Sequence, residues 1–529
     1  MSRPRTAAIA VCMLALARLA GAAAARPAAA LPAGFDAYVA QVMRTFEVPG
    51  LAVAVVKDGA VVLSRGYGVR KLGEAAPVDA RTRFMIASNT KVFTAVALGL
   101  LVEEGRIEWD APVVRYLPDF QMWDPWVTRE LTVRDLLVHR SGLGLGAGDL
   151  LWWPSSTYNR QEIAGRLRFL KPATSFRSAY AYDNVLYLVA GQVIERVSGQ
   201  SWEDFVSARI LSRVGMTGST VTHSSALGGG NVADPHARVE GAVRPVRPFA
   251  SDNTNPAGGI NSGADDMAKW LLVLLDHGRL ADGSRLFSEA TWKNLTTIVT
   301  PMPIAEPPPE LAALRSRFRG YGLGLVVGDY RGHQLVRHSG GLPGYVSHVL
   351  LAPDAKLGIA VLTSQEVDAA WGAIVQALLD HFLEEPRTDW LGAFQKAEAR
   401  QDLTAADEER RMAAARNTAS RPSLPLEGYA GTYRDDWYGD VAVALESGKL
   451  VIRFGHTPSL VGDLEHWQYD TFVARWRDRE LRADAFVTFA LDAEGRVDQA
   501  RMRAVSPRTD FSYDFHDLLL RPVPPAPRP

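Results

Sequence analysis

The sequence is almost without cysteine. Cys12 is the one thiol among 529 residues, and it lies in an N-terminal stretch that reads as a removable leader. This excludes a disulfide framework, a cysteine nucleophile and a thiolate metal site from the rest of the chain. No zinc-like Cys/His spacing and no block of basic residues occurs. The 58 basic and 59 acidic side chains nearly cancel, so the chain has no global attraction for nucleic acid or anionic lipid. G-x-S-x-G, which an α/β-hydrolase would need between strand and helix, is also missing. After the leader, no apolar run has the length of a membrane helix.

The leader is expected at residues 1–25. Arg3 and Arg5 precede an apolar run from Ala7 to Ala17, and small residues follow at Gly21–Ala25. That is the layout of a secretory signal peptide. Cys12 follows Val11 rather than a small residue, which argues against a lipid anchor. Export without disulfides points to a bacterial periplasm or exterior.

The remaining length suits two or more folded units. Leu51 to Leu63 reads as two strands around Lys57-Asp58-Gly59, a strong hairpin signal. Helical spacing marks 91–104, 184–197, 267–275 and 369–383, and glycine stops close the first three. Strands are expected at 322–328, 334–337, 347–351 and 357–363. Helices between early and late strands indicate an α+β domain over residues 36–385. Residues 386–424 read as a linker or helical strap. Residues 425–521 carry short strands between turns, such as Ser447-Gly448, and indicate a small all-β barrel or sandwich. The proline-rich end, 522–529, reads as a disordered tail.

Three short motifs carry chemistry. Ser88-Asn89-Thr90-Lys91 fits S-x-x-K. Three residues is close to one helical turn, so both side chains face one way. A nearby amine can take the proton that a serine hydroxyl must lose to become a nucleophile. Alone, the same tetrapeptide reads more readily as an N-capping serine and a solvated lysine. Tyr182-Asp183-Asn184 offers a phenol that a lysine can make basic, and an amide for a substrate carbonyl. Its competing reading is a core aromatic before an asparagine cap. His338-Ser339-Gly340-Gly341 offers a close backbone approach and an N–H for an oxyanion. Its competing reading is a turn with an exposed histidine.

In order and context, these motifs resemble the β-lactamase-related serine hydrolases. That family includes class C β-lactamases, D,D-carboxypeptidases, D-aminopeptidases and esterases. The resemblance runs from Val48 to Thr363. It includes Val48–Gly50, Phe84–Lys91, Leu136–Leu143, Asn255–Gly259 and His338–Tyr345. It implies an antiparallel sheet flanked by helices. It also implies acylation of Ser88, proton transfer by Lys91 and Tyr182, and substrate contacts from Asn184, His338, Gly340 and Gly341. The N–H groups of Ser88 and Gly341 would form the oxyanion hole. No metal or organic cofactor is implied, and the partner is a small-molecule or peptide substrate. His338 stands where many members have the lysine of K-T-G. An imidazole is mostly neutral at pH 7, which argues for peptides or esters over β-lactams.

Gly428–Tyr433 is similar to the start of a lipocalin-like domain found in some members. In relatives such domains gate the active site or aid oligomerisation, which leaves a homo-oligomer open. A rival reading is a binding protein that has lost turnover and captures wall fragments or lipids. Intact Ser88, Lys91 and Tyr182 argue against it. His139 reads as packing and His333 as solvated. Trp123, Trp126, Trp152 and Trp153 serve either a substrate cleft or a helical core.

Overall fold

The computed structural model describes residues 30–524. The expected signal peptide and residues 525–529 of the expected tail lie outside them.

Eight antiparallel strands form the main sheet. They are β1 (Gly50–Lys57), β2 (Ala60–Gly68), β3 (Thr300–Pro301), β4 (Arg319–Tyr321), β5 (Val326–Tyr330), β6 (His333–Leu342), β7 (Tyr345–Ala352) and β8 (Leu357–Thr363), in the order β2-β1-β8-β7-β6-β5-β4-β3. The first hairpin turns at Asp58-Gly59, both with positive φ. Strand β1 is apolar from Leu51 to Val56, and both of its faces are covered. Leu51, Val53 and Val55 pack with α1 (Phe35–Phe46) and a late helix, α5 (Asp368–Phe382). Ala52, Ala54 and Val56 face the opposite core. That core holds α2 (Lys91–Glu103), α3 (Val185–Ser198) and α4 (Ala264–Leu275).

Two strands differ from expectation. The segment expected at 322–328 straightens only from Val326. Gly324 has φ +76, and a Cβ there would lie 2.9 Å from Lys91 O. The chain bends at this point to pass the start of α2. Strand β6 instead runs on through the glycines to Leu342. Its neighbour β5 pairs only as far as Arg337, so residues 338–342 keep one edge unpaired.

Helix α6 (Trp390–Ala414) occupies the expected strap and packs on α5. Beyond it, eight strands close into an antiparallel barrel: β9 (Gly431–Asp435), β10 (Gly439–Glu446), β11 (Lys449–Phe454), β12 (Val461–Gln468), β13 (Thr471–Trp476), β14 (Ala485–Leu491), β15 (Val497–Ala504) and β16 (Leu519–Pro522). Sequence patterning marks β10, β11, β14 and β15. It misses β9, β12, β13 and β16, which are short or whose polar outward residues break the apolar runs. Pro522 and Val523, expected in the tail, belong to the barrel. Tyr433 pairs with Pro522, and Val523 N donates to Thr432 O at 2.8 Å. Inside the barrel, Tyr429, Phe472 and Phe489 make ring contacts, as do Phe454, Trp476 and Phe515.

The barrel is fastened to the hydrolase unit. Asp514, in the β15–β16 loop, accepts from Gly148 N at 2.7 Å and Leu150 N at 3.0 Å. Arg482 pairs with Glu366 at 2.6 Å, and Arg247 pairs with Asp478.

Candidate active site

The site is built where the chain enters α2. Ala87 to Thr90 form a single 3₁₀ turn ahead of Lys91. Ala87 takes φ +48, an uncommon conformation for a residue with a side chain. This strained step presents Ser88 to a cavity of about 280 Å³. Ser88 caps nothing: α2 has no side-chain cap. Lys91 is not solvated either; it is fully buried. The helix-cap reading of the tetrapeptide is thereby corrected.

Lys91 Nζ has three polar partners: Ser88 Oγ at 3.0 Å, Asn184 Oδ1 at 2.7 Å and Ala257 O at 3.1 Å. It also lies 4.9 Å and 5.1 Å from the ring centres of Tyr182 and Tyr187. Burial pulls its pKa down to about 7, against the opposing charges of Asp149 and Asp183. An amine balanced near neutrality can accept and return a proton.

Ser88 lies beside the Tyr182 phenol and favours its ionised form, although burial holds that phenol well above the ordinary value. It therefore stands as a neutral phenol in the resting site. His139 packs behind it, with ring centres 4.3 Å apart, and accepts Asp183 N–H at Nδ1. The expectation of packing fits this placement.

Asn184 occupies the N-cap position of α3 but makes no capping bond. Its Oδ1 faces Lys91, while its Nδ2 donates to Asp149 Oδ2 at 2.9 Å. The amide is thus fixed between a cation and a carboxyl group, and orienting Lys91 is its visible task. Asp149 carried no signal in the sequence. It also accepts from Trp152 Nε1 at 2.8 Å and from Ser512 Oγ at 2.8 Å. Burial raises it to about 7 despite these bonds.

The third motif lies on the free edge of β6. A Cβ on Gly340 would fall 2.3 Å from Ile86 O and 2.9 Å from Ser88 N. Only glycine allows this strand so close to the nucleophile turn. Gly341 lines the cavity beside it. His338 is not exposed, as its competing reading had it. Its Nδ1 lies 2.5 Å from Ser339 O, which can only accept, so Nδ1 carries the proton. Nε2 then accepts from Tyr321 OH at 2.8 Å. Burial, aided by Lys91, lowers this imidazole to about 3. Both ring nitrogens are engaged within the protein, and the ring still lines the cavity beside Ser88.

All seven expected site residues converge, but others complete the cavity. Ala257 O comes from the Asn255–Gly259 signature. Arg319 is exposed on the cavity wall. Asp510, Phe511 and Ser512 arrive from the barrel. Of the four tryptophans, Trp152 and Trp153 line the cavity, whereas Trp123 and Trp126 are exposed elsewhere. His333 is half-exposed, 3.4 Å from Glu385. Among the described residues, no group of three or more His, Cys, Asp or Glu could hold a metal. No described helix is long and apolar enough to cross a membrane.

Comparison with known proteins agrees with this geometry. The family model "Beta-lactamase" matches residues 35–379. A second model, a domain of unknown function, matches residues 415–522. An unguisins hydrolase of Aspergillus violaceofuscus is 28% identical over 479 residues, covering 84% of this chain and 83% of its own. The octameric penicillin-binding protein homologue from Pyrococcus abyssi superposes with a TM-score of 0.58 at 22% identity, over 92% of this chain and 98% of its own. The D-amino acid amidase from Ochrobactrum anthropi gives 0.53 at 22% identity, over 66% and 98%.

Proposed function

The chain belongs to the Beta-lactamase family and is a serine hydrolase, and on that premise we propose that Ser88 forms a covalent acyl-enzyme with amide or ester substrates, including peptides that contain D-amino acids. The observation that carries this reading is the buried Lys91 Nζ, 3.0 Å from Ser88 Oγ. Ser88 Oγ attacks the substrate carbonyl carbon, and its proton passes to Lys91. Lys91 then gives that proton back, and Tyr182, beside Ser88, relays it to the departing amine or alcohol. The Ser88 and Gly341 N–H groups receive the oxyanion. Water then attacks the ester, returning the carboxylic acid and free Ser88.

Relatives support the substrate class: one is a hydrolase of unguisins and another an amidase of D-amino acids. Neutral, engaged His338 supports peptides and esters over β-lactams. The leader expected at residues 1–25 supports export from a bacterial cell.

A panel of p-nitrophenyl esters, D-amino-acid amides and nitrocefin tests the reading. Turnover of esters and D-amides, faster than of nitrocefin and absent in Ser88→Ala, is expected. Turnover that survives in Ser88→Ala contradicts it.

A further inference from the structure

The cavity at Ser88 is small. Its roughly 280 Å³ sits at the lower end of ordinary ligand sites, which run from about 300 to 1,000 Å³. A second chamber of about 840 Å³ adjoins it, between the hydrolase unit and the barrel. Both are lined by Trp153, Gly340, Gly341, Leu342, Asp510 and Phe511, so they lie side by side as two lobes of one site region.

We propose that the second lobe is a subsite for a peptide of several residues, holding the part of the substrate that extends beyond the bond cleaved at Ser88. This rests on the acyl-enzyme reading above and specifies its substrate. The course of β6 supports it. The edge of β6 is unpaired from His338 to Leu342, and this stretch borders both lobes. An extended backbone can add to such an edge by main-chain hydrogen bonds. A chain laid along it from Ser88 passes directly into the second lobe.

The walls there suit side chains of mixed character. Trp153 stacks on Phe249 with ring centres 5.9 Å apart and meets Tyr513 at 6.3 Å. Proline and leucine continue the surface at Pro343, Pro458 and Leu481. Around the aromatic floor, the arginines are already matched. Arg482 pairs with Glu366 at 2.6 Å, and Arg508 lies 3.3 Å from Glu398. Arg247 pairs with Asp478. The Arg482 and Arg247 pairs join the hydrolase unit to the barrel and fix the lobe's width. A small ester has no use for this space. A peptide fills it with backbone on the β6 edge and side chains against the rings.

Remote binding energy appears as a faster reaction when it is realised in the transition state. The test measures kcat/KM for D-phenylalanine amides extended by one to six alanines at either end, beside p-nitrophenyl acetate as the small probe. Wild type should gain about tenfold or more with length at one end. Pro248→Trp and Pro458→Trp, both exposed positions on the second lobe, should lower the ratio of long-peptide to ester rates by about tenfold. A rate independent of length at both ends overturns the subsite, as does an unchanged ratio in both variants or ester turnover without any peptide cleavage. Loss of the acyl-enzyme reading itself shows differently, as ester turnover that persists in Ser88→Ala.

Discussion

Ser512 Oγ donates a 2.8 Å hydrogen bond to Asp149 Oδ2, although the two residues are 363 positions apart. Asp149 in turn holds Asn184, and Asn184 holds Lys91. The barrel therefore reaches the candidate base through a chain of three hydrogen bonds.

The first prediction concerns pH. Lys91 must be neutral to take the Ser88 proton, so kcat/KM for a neutral ester should rise as pH increases through about 7. Asp149 and Asp183 face the ammonium and hold its pKa up. Asp514 lies near Asp149, and burial keeps its carboxyl well above the ordinary range. The other neighbours are Tyr182, Tyr187, His139 and His338, which burial keeps neutral. Burial raises Asp149 to about 7, so near the acid limb it carries only part of a negative charge. Asp149→Asn removes that charge, and the acid limb should move down by a fraction of a pH unit. A limb that stays in place or moves up contradicts the relay.

Tyr182→Phe removes only the hydroxyl beside Ser88. The ring contact with His139 persists, so stability should change little. A loss of about 10²–10⁴ in kcat is expected if the phenol relays the leaving-group proton. Single-turnover kinetics and a thermal melt measure the two effects separately.

Gly340→Ala places a methyl group against Ile86 O and Ser88 N. Either β6 or the nucleophile turn must retreat. The expected cost is about 1–3 kcal/mol of stability, with ester turnover reduced by more than tenfold. Denaturant titration and ester kinetics check both.

Recognition of a carboxylate should rest on Arg319 rather than His338. Arg319 lines the cavity, and no acidic side chain pairs with it among the described residues. In a Ser88→Ala background, a peptide acid should bind about tenfold more tightly than its amide, a difference of about 1.4 kcal/mol. Arg319→Gln should remove that preference. A preference that appears only below pH 6 and vanishes in His338→Gln contradicts the neutral imidazole, which burial lowers to about 3.

Much of this was legible in the sequence. The hairpin at Asp58-Gly59, the helix after Ser88 and the last sheet strands follow from local turn chemistry and periodicity. The seven site residues were marked by spacing and by the resemblance of their motifs. Their roles were less legible. Nothing local reveals that both His338 nitrogens are engaged, because Tyr321 approaches from another strand. Asp149 sits in a loop with no motif, and its importance comes from Asn184 and Ser512, which fold onto it from far away. Phe511 belongs to a unit that was read as a separate barrel. Its place in the catalytic cavity follows from how Asp514 docks on the Gly148–Leu150 backbone.

The central claim is that Ser88 is the nucleophile, and covalent labelling tests it most directly. The protein should take up one fluorophosphonate per chain, mapped by peptide mass spectrometry to Ser88, with none on folded Ser88→Ala. Equal labelling of the Ser88→Ala protein, or an adduct on another residue of the wild type, would contradict it.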